Sequence, residues 1–202
     1  MKERFERLLK ECPVIAILRG ITPSEVPAVC DALFQAGIRV VEIPLNSPEP
    51  LTGIRIAAEH CVSRMMVGAG TVLTAGDVRN VRSAGGQFII SPNTNVEVIA
   101  ETKRCGLLSI PGFFTASEGF TALKAGADYL KLFPAILGPG YIKDLKAVIK
   151  APILAVGGVN AGNIAEFTSV CAGTGIGSAI YRSGKLPQDV AVDAETLVHL
   201  AK

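Results

Sequence analysis

The sequence predicts a (β/α)8 barrel preceded by one extra N-terminal helix, the whole of 1–202 forming a single domain. Three observations carry this reading. A helix-like stretch ending in Gly, followed at once by an apolar, β-branched run, recurs as QAG-IRVVEIPL, SAGG-QFIISP, RCG-LLSIPG, KAG-ADYLKLFP and CAG-TGIGS. Gly is the usual left-handed cap of a helix end, and the run behind it reads as a strand buried on both faces. With VIAILRG, MMVGAGT and ILAVGG this makes eight candidate strands, whose starts lie 20 to 26 residues apart, room for one helix between each pair. Alternating β and α units imply a parallel sheet, and eight of them a closed one. The chain is 202 residues long, near the lower limit of about 200 for this fold, so its loops must be short.

In chain order, the charged stretch MKERFERLLKEC has no apolar signal region and reads as a helix over about 2–11, placed to cover the barrel floor. The strands fall at about 14–18, 39–44, 65–69, 87–90, 107–110, 129–133, 153–156 and 174–176. Thr22-Pro23, Ser47-Pro48 and Asn93-Thr94-Asn95 place a cap or a proline at the first turn of the helices that follow. A last helix over about 187–200 closes the ring. An open doubly wound sheet is the alternative, but the first strand runs into RGITP and lacks the GxGxxG of a dinucleotide fold.

Composition narrows the function. Hydrophobic residues make up 49% and charged residues 19%, with a mean hydropathy of +0.41, which excludes a disordered chain. Lys and Arg number 20 against 18 Asp and Glu, with no basic block, so nucleic acid is not an expected partner. No apolar run approaches the ~20 residues of a membrane span. Five cysteines without a CxxC pair, and two histidines without ligand spacing, point to free thiols in the cytoplasm and to no metal site.

In this fold the chemistry sits at the C-terminal ends of the strands. Lys131, in ADYLKLFP, lies inside the sixth strand, where burial disfavours its ammonium and favours a nucleophilic amine able to form a Schiff base. Glu42, in VVEIPL, is equally costly to bury alone. Both belong to even-numbered strands, which supply side chains to the same interior layer, so the two can face each other across the barrel mouth and exchange protons. The plainer readings are a snorkelling lysine and a structural ion pair. Gly157 and Gly158 end the seventh strand, and Gly175-Ile176-Gly177-Ser178 the eighth, where this fold cradles phosphate. Ser178 is expected to open a helix and add a hydroxyl and a positive dipole end. Arg19 and Thr71 are candidates to hold a carboxylate, with Pro92 and Phe133 shaping the walls.

PVIAILRG, VEIPLNSP, GAGTVL, ISPN, PGFFTASE, LKLFPA, AVGGV and GIGSAIYR follow one another in register over about 12–200, and with them the chain resembles the KDPG/KHG aldolases, class I enzymes that cleave 2-keto-3-deoxy-6-phospho sugar acids. The resemblance implies that Lys131 forms the Schiff base and Glu42 is the general acid/base. It implies that Arg19 and Thr71, with the backbone near Pro92, take the pyruvate carboxylate. Phe133 would flank the Schiff base, and Gly157, Gly158 and Ser178 would bind phosphate. It further implies a homotrimer without metal or other cofactor. IAILRGITP and VEIPLNSP look most like the branch acting on 2-dehydro-3-deoxy-6-phosphogalactonate. Phosphogluconate-type relatives carry Arg where this chain has Asn46, and tend to carry Thr where it has Val156, which cannot bond a sugar hydroxyl. The gluconate-series aldolase is therefore the alternative, with a sugar-phosphate isomerase or a non-catalytic phospho-ligand-binding barrel further off.

Overall fold

The computed structural model describes residues 1–202. Helix α1 (Lys2–Glu11) leads into β1 (Val14–Ile17), and β/α units follow: α2 (Val26–Gln35), β2 (Val40–Pro44), α3 (Pro50–His60), β3 (Met66–Gly70), α4 (Ala75–Ser83), β4 (Phe88–Ile90) and α5 (Val96–Arg104). Then come β5 (Leu108–Ile110), β6 (Gly112–Phe113), α6 (Ala116–Lys124), β7 (Leu130–Leu132), α7 (Gly138–Val148), β8 (Ile153–Val156), α8 (Ile164–Thr168), β9 (Gly173–Ile176) and α9 (Pro187–Leu200). No helix is long and apolar enough to cross a membrane.

Nine strand segments stand where eight strands are expected. The fifth is cut at Pro111, whose nitrogen has no proton to give to a ladder. Its first piece, β5, pairs with β4, and its second, β6, pairs with β7. All pairs are parallel, in the order β5-β4-β3-β2-β1-β9-β8-β7-β6. The two ends of the ladder are consecutive pieces of one strand, so the sheet closes. Main-chain bonds complete the seam: Asp128 donates to the Ser109 carbonyl at 3.0 Å and Lys131 to the Pro111 carbonyl at 2.9 Å.

Strand alternation sorts the apolar residues into two clusters. Val14, Ala16, Leu18, Val41, Ile43, Val67 and Ala69 face outward and belong to a cluster of 49 buried residues between sheet and helices. Ile15, Val40, Met66, Phe88, Leu108, Tyr129 and Leu154 face the lumen in a cluster of only 12. Most of the apolar burial therefore lies outside the barrel, and the lumen needs help to fill. Helix α1 supplies it: Phe5, Leu8 and Leu9 belong to the inner cluster, with the Phe5 ring edge-on to Tyr129 at 5.0 Å and to Phe88 at 5.7 Å.

Helix starts differ in detail from expectation. Asn95 caps α5, accepting from the Glu97 and Val98 N–H groups. Thr22-Pro23 instead opens a turn closed by Glu25, whose carboxylate accepts from the Thr22 N–H at 2.8 Å, and α2 begins only at Val26. Ser47-Pro48 also precedes its helix: α3 starts at Pro50, behind Glu49 in a left-handed conformation.

Because Phe5 is fully buried, Phe5→Ala is expected to cost about 3–5 kcal/mol. Urea unfolding should show this as a lower midpoint with an unchanged slope.

Candidate active site

Inward-facing positions climb each strand two residues at a time. In β2, Val40 belongs to the plugged floor and Glu42 is the next inward position. The next inward position above Tyr129, just before β7, is Lys131 within that strand. Both reach the layer above the α1 plug. Glu42 is 2% exposed and Lys131 6%. No salt bridge or hydrogen bond joins either to another side chain, and no fully buried side-chain polar atom in the protein lacks a partner. Their reactive atoms must therefore open onto the mouth.

The electrostatics follow from this placement. Burial holds the Lys131 amine below the ordinary lysine range, opposed by the Glu42 charge and reinforced by Arg19. Burial pushes Glu42 above the ordinary carboxylate range, opposed by Lys131 and Arg19. The layer thus makes the ammonium easier to deprotonate and the carboxylate easier to protonate than in water. The Phe133 ring lies 4.5 Å from Lys131 Nζ, a wall that excludes water from one side of the amine.

Backbone geometry holds Glu42 in place. A Cβ at Gly70 would collide with the Glu42 carboxylate. Thr71 follows with φ +56°, a left-handed conformation costly for a β-branched residue and held by the surrounding fold. Nearby, Thr94 Oγ1 donates to the Gly112 carbonyl at 2.8 Å, and the Pro92 carbonyl packs so closely on Gly112 that no side chain could stand there.

The glycine loops form a cleft of about 180 Å³ whose lining includes Arg19, Phe133, Val156, Gly157, Gly158 and Ser178. Gly157 and Gly158 have φ +91° and +84°, a conformation that favours glycine. The space beside Gly158 is open. Its carbonyl is pinned by the Asn163 amide at 3.0 Å and the Asn160 amide at 3.2 Å, so VNAGN braces the cradle. Ser178 lies in this cleft, but the helix expected behind it is absent. The chain makes one turn, closed by the Tyr181 N–H on the Gly177 carbonyl at 2.9 Å, and α9 starts only at Pro187. Ser178 keeps its hydroxyl without a helix dipole behind it, because a single turn, not a helix, follows β9. A larger depression of about 420 Å³ lies at the other end of the barrel, at the start of β3 and β4, away from the amine and carboxyl group.

Arg19 is the only charged residue lining the glycine cleft. It makes no rim salt bridge. Its Nη1 donates to Asn46 Oδ1 at 2.7 Å. Sequence reading singled out neither Gly70, Asn160 nor Asn163, and did not foresee the Arg19–Asn46 bond. The GAGT and GGVNAGN strings, at strand ends rich in turn residues, are the signals that could have flagged the first three.

The family model for KDPG and KHG aldolase matches residues 5–194. The chain belongs to the KDPG and KHG aldolase family. It is 45% identical over 190 residues to the 2-dehydro-3-deoxy-6-phosphogalactonate aldolase of Escherichia coli, covering 92% of this chain and 93% of that one. A solved structure described as native KDPGal superimposes with a TM-score of 0.90 at 44% identity, over 93% of each chain. The KDPG aldolase of Legionella pneumophila, solved with pyruvate captured as a covalent carbinolamine, superimposes with a TM-score of 0.87 at 26% identity, over 98% of each chain.

A Cβ at Gly70 meets the Glu42 side chain first, so Gly70→Ala is expected to displace the Glu42 carboxylate. Turnover should fall about 10²-fold, the scale of a misplaced catalytic group, while the far-UV circular dichroism spectrum stays that of the parent.

Proposed function

We propose that the protein is a class I aldolase that reversibly cleaves 2-dehydro-3-deoxy-6-phosphogalactonate to pyruvate and D-glyceraldehyde 3-phosphate. The observation that carries this is the buried Lys131 amine sharing the barrel mouth with Glu42, neither of them neutralised by a protein partner. A structural ion pair would join its two charges directly, and these two do not touch.

Neutral Lys131 attacks the C2 ketone, and the carbinolamine loses water with a proton supplied by Glu42. The resulting iminium draws electrons toward nitrogen, so the C3–C4 bond can break without a metal ion. Glu42, through a water, takes the C4 hydroxyl proton as glyceraldehyde 3-phosphate leaves. The enamine that remains is protonated at C3 and hydrolysed to pyruvate, freeing Lys131. Arg19 and Thr71, with the backbone at Pro92, hold the carboxylate. Phe133 shields the iminium. Gly157, Gly158 and Ser178 hold the phosphate.

Val156 lines the cleft with an apolar surface and offers no hydrogen bond to a sugar hydroxyl. Together with Asn46 and the 45% identity to a phosphogalactonate aldolase, it favours the galactonate series over the gluconate series. All five cysteines are free thiols, which suits a cytoplasmic enzyme. We further propose a homotrimer: exposed Phe120, Ile136 and Leu137 offer apolar surface for burial between copies.

Incubation with pyruvate and sodium borohydride should add one reduced pyruvate adduct per chain, on the peptide bearing Lys131. Lys131→Met should give no adduct and no cleavage, and added chelator should leave the parent rate unchanged. An unmodified chain from a folded sample would refute the Schiff base. With the two C4 epimers as substrates, kcat/KM should be higher for the phosphogalactonate by about tenfold or more, the scale of 1–3 kcal/mol for one mismatched pocket contact. Equal values would refute the series assignment.

A further inference from the structure

Arg19 stands at the junction of the two halves of the site. Its charge acts on both Glu42 and Lys131, and its side chain lines the glycine cleft. Yet it is exposed, follows the last residues of β1, and is carried by a long flexible stem. The loop after β2 holds the side chain and the flanking backbone. Asn46 Oδ1 accepts from Arg19 Nη1 at 2.7 Å. Ser47 Oγ, buried, accepts from the N–H of Gly20 at 2.9 Å and reaches the Leu18 carbonyl at 3.5 Å. One turn therefore grips the guanidinium and the backbone on both sides of it. Gly20 has φ +82°, so the chain bends sharply directly behind the gripped residue.

We infer that Asn46 is a positioning residue for the reaction: the Asn46–Ser47 turn fixes the Arg19 guanidinium where the anionic substrate must pass it. This rests on the aldolase reading above. An amide at position 46 grips Arg19 without bringing a charge of its own. Held in one place, Arg19 loses little freedom when substrate arrives, so the grip acts on binding, whereas Lys131 and Glu42 act on the chemical step.

The test combines kinetics with a measurement that needs no substrate. Asn46→Ala should raise KM for 2-dehydro-3-deoxy-6-phosphogalactonate about fivefold and leave kcat within about twofold, the pattern of lost ground-state binding. In an Arg19→Ala background the same substitution should change nothing, since the residue it positions is gone. In the nitrogen-15 spectrum of the free protein, the Arg19 guanidinium signals should be resolved in the parent, averaged in Asn46→Ala, and resolved again in Asn46→Asp, which restores an acceptor oxygen. A KM equal to the parent's, a full penalty in the Arg19→Ala background, or unchanged guanidinium signals in Asn46→Ala would each overturn the inference. A parent that shows the resolved signals but does not cleave the substrate would refute the aldolase reading and leave the positioning role standing on the spectrum.

Discussion

Two ionisable side chains, Glu42 and Lys131, sit in a lumen otherwise filled with hydrocarbon, and the rest of the architecture serves that constraint. Burial opposes the charge on each, and the field of the partner restores part of it. The outcome is an amine biased toward its neutral, nucleophilic form and a carboxyl group that can exchange protons. Arg19 tips the balance further toward the neutral amine. A direct salt bridge would remove this reactivity by locking both groups in their charged forms. The absence of contact between them is therefore as important as their shared layer.

The barrel reaches this arrangement by stacking layers. Helix α1 plugs the lower lumen with Phe5, Leu8 and Leu9. One layer higher, glycine leaves the room that the functional side chains occupy. Gly70 vacates the space taken by the Glu42 carboxylate, and Gly112 admits the Pro92 carbonyl. The loops beyond the strands then add the groups proposed to bind substrate. The β2 loop steadies Arg19, and Asn160 and Asn163 steady the glycine turn after β8. Rigid strands thus carry the groups proposed to react, and hydrogen-bonded loops carry those proposed to recognise charge.

Much of this was legible in the chain. Apolar, β-branched runs behind glycine-capped helices placed the strands close to where they lie, and the pairing of even-numbered strands placed Glu42 and Lys131 in one layer. The errors share a cause. The break at Pro111, the missing helix after Ser178 and the late starts of α2 and α3 all depend on which main-chain groups find partners across the fold. Proline shows that a donor is missing, but not that the strand will change neighbours there. A glycine-rich strand end looks the same whether a helix or a single turn follows it.

By itself, then, the sequence determined the barrel, the lysine in its sixth strand and the glutamate in its second, because alternation and burial cost are properties of neighbours along the chain. Only the tertiary structure decided that the two charges share a layer without touching, that Gly70 is empty for the sake of Glu42, and that Asn46 holds Arg19. These are distances between residues far apart in sequence, set by strand register, loop path and the closing of the ring.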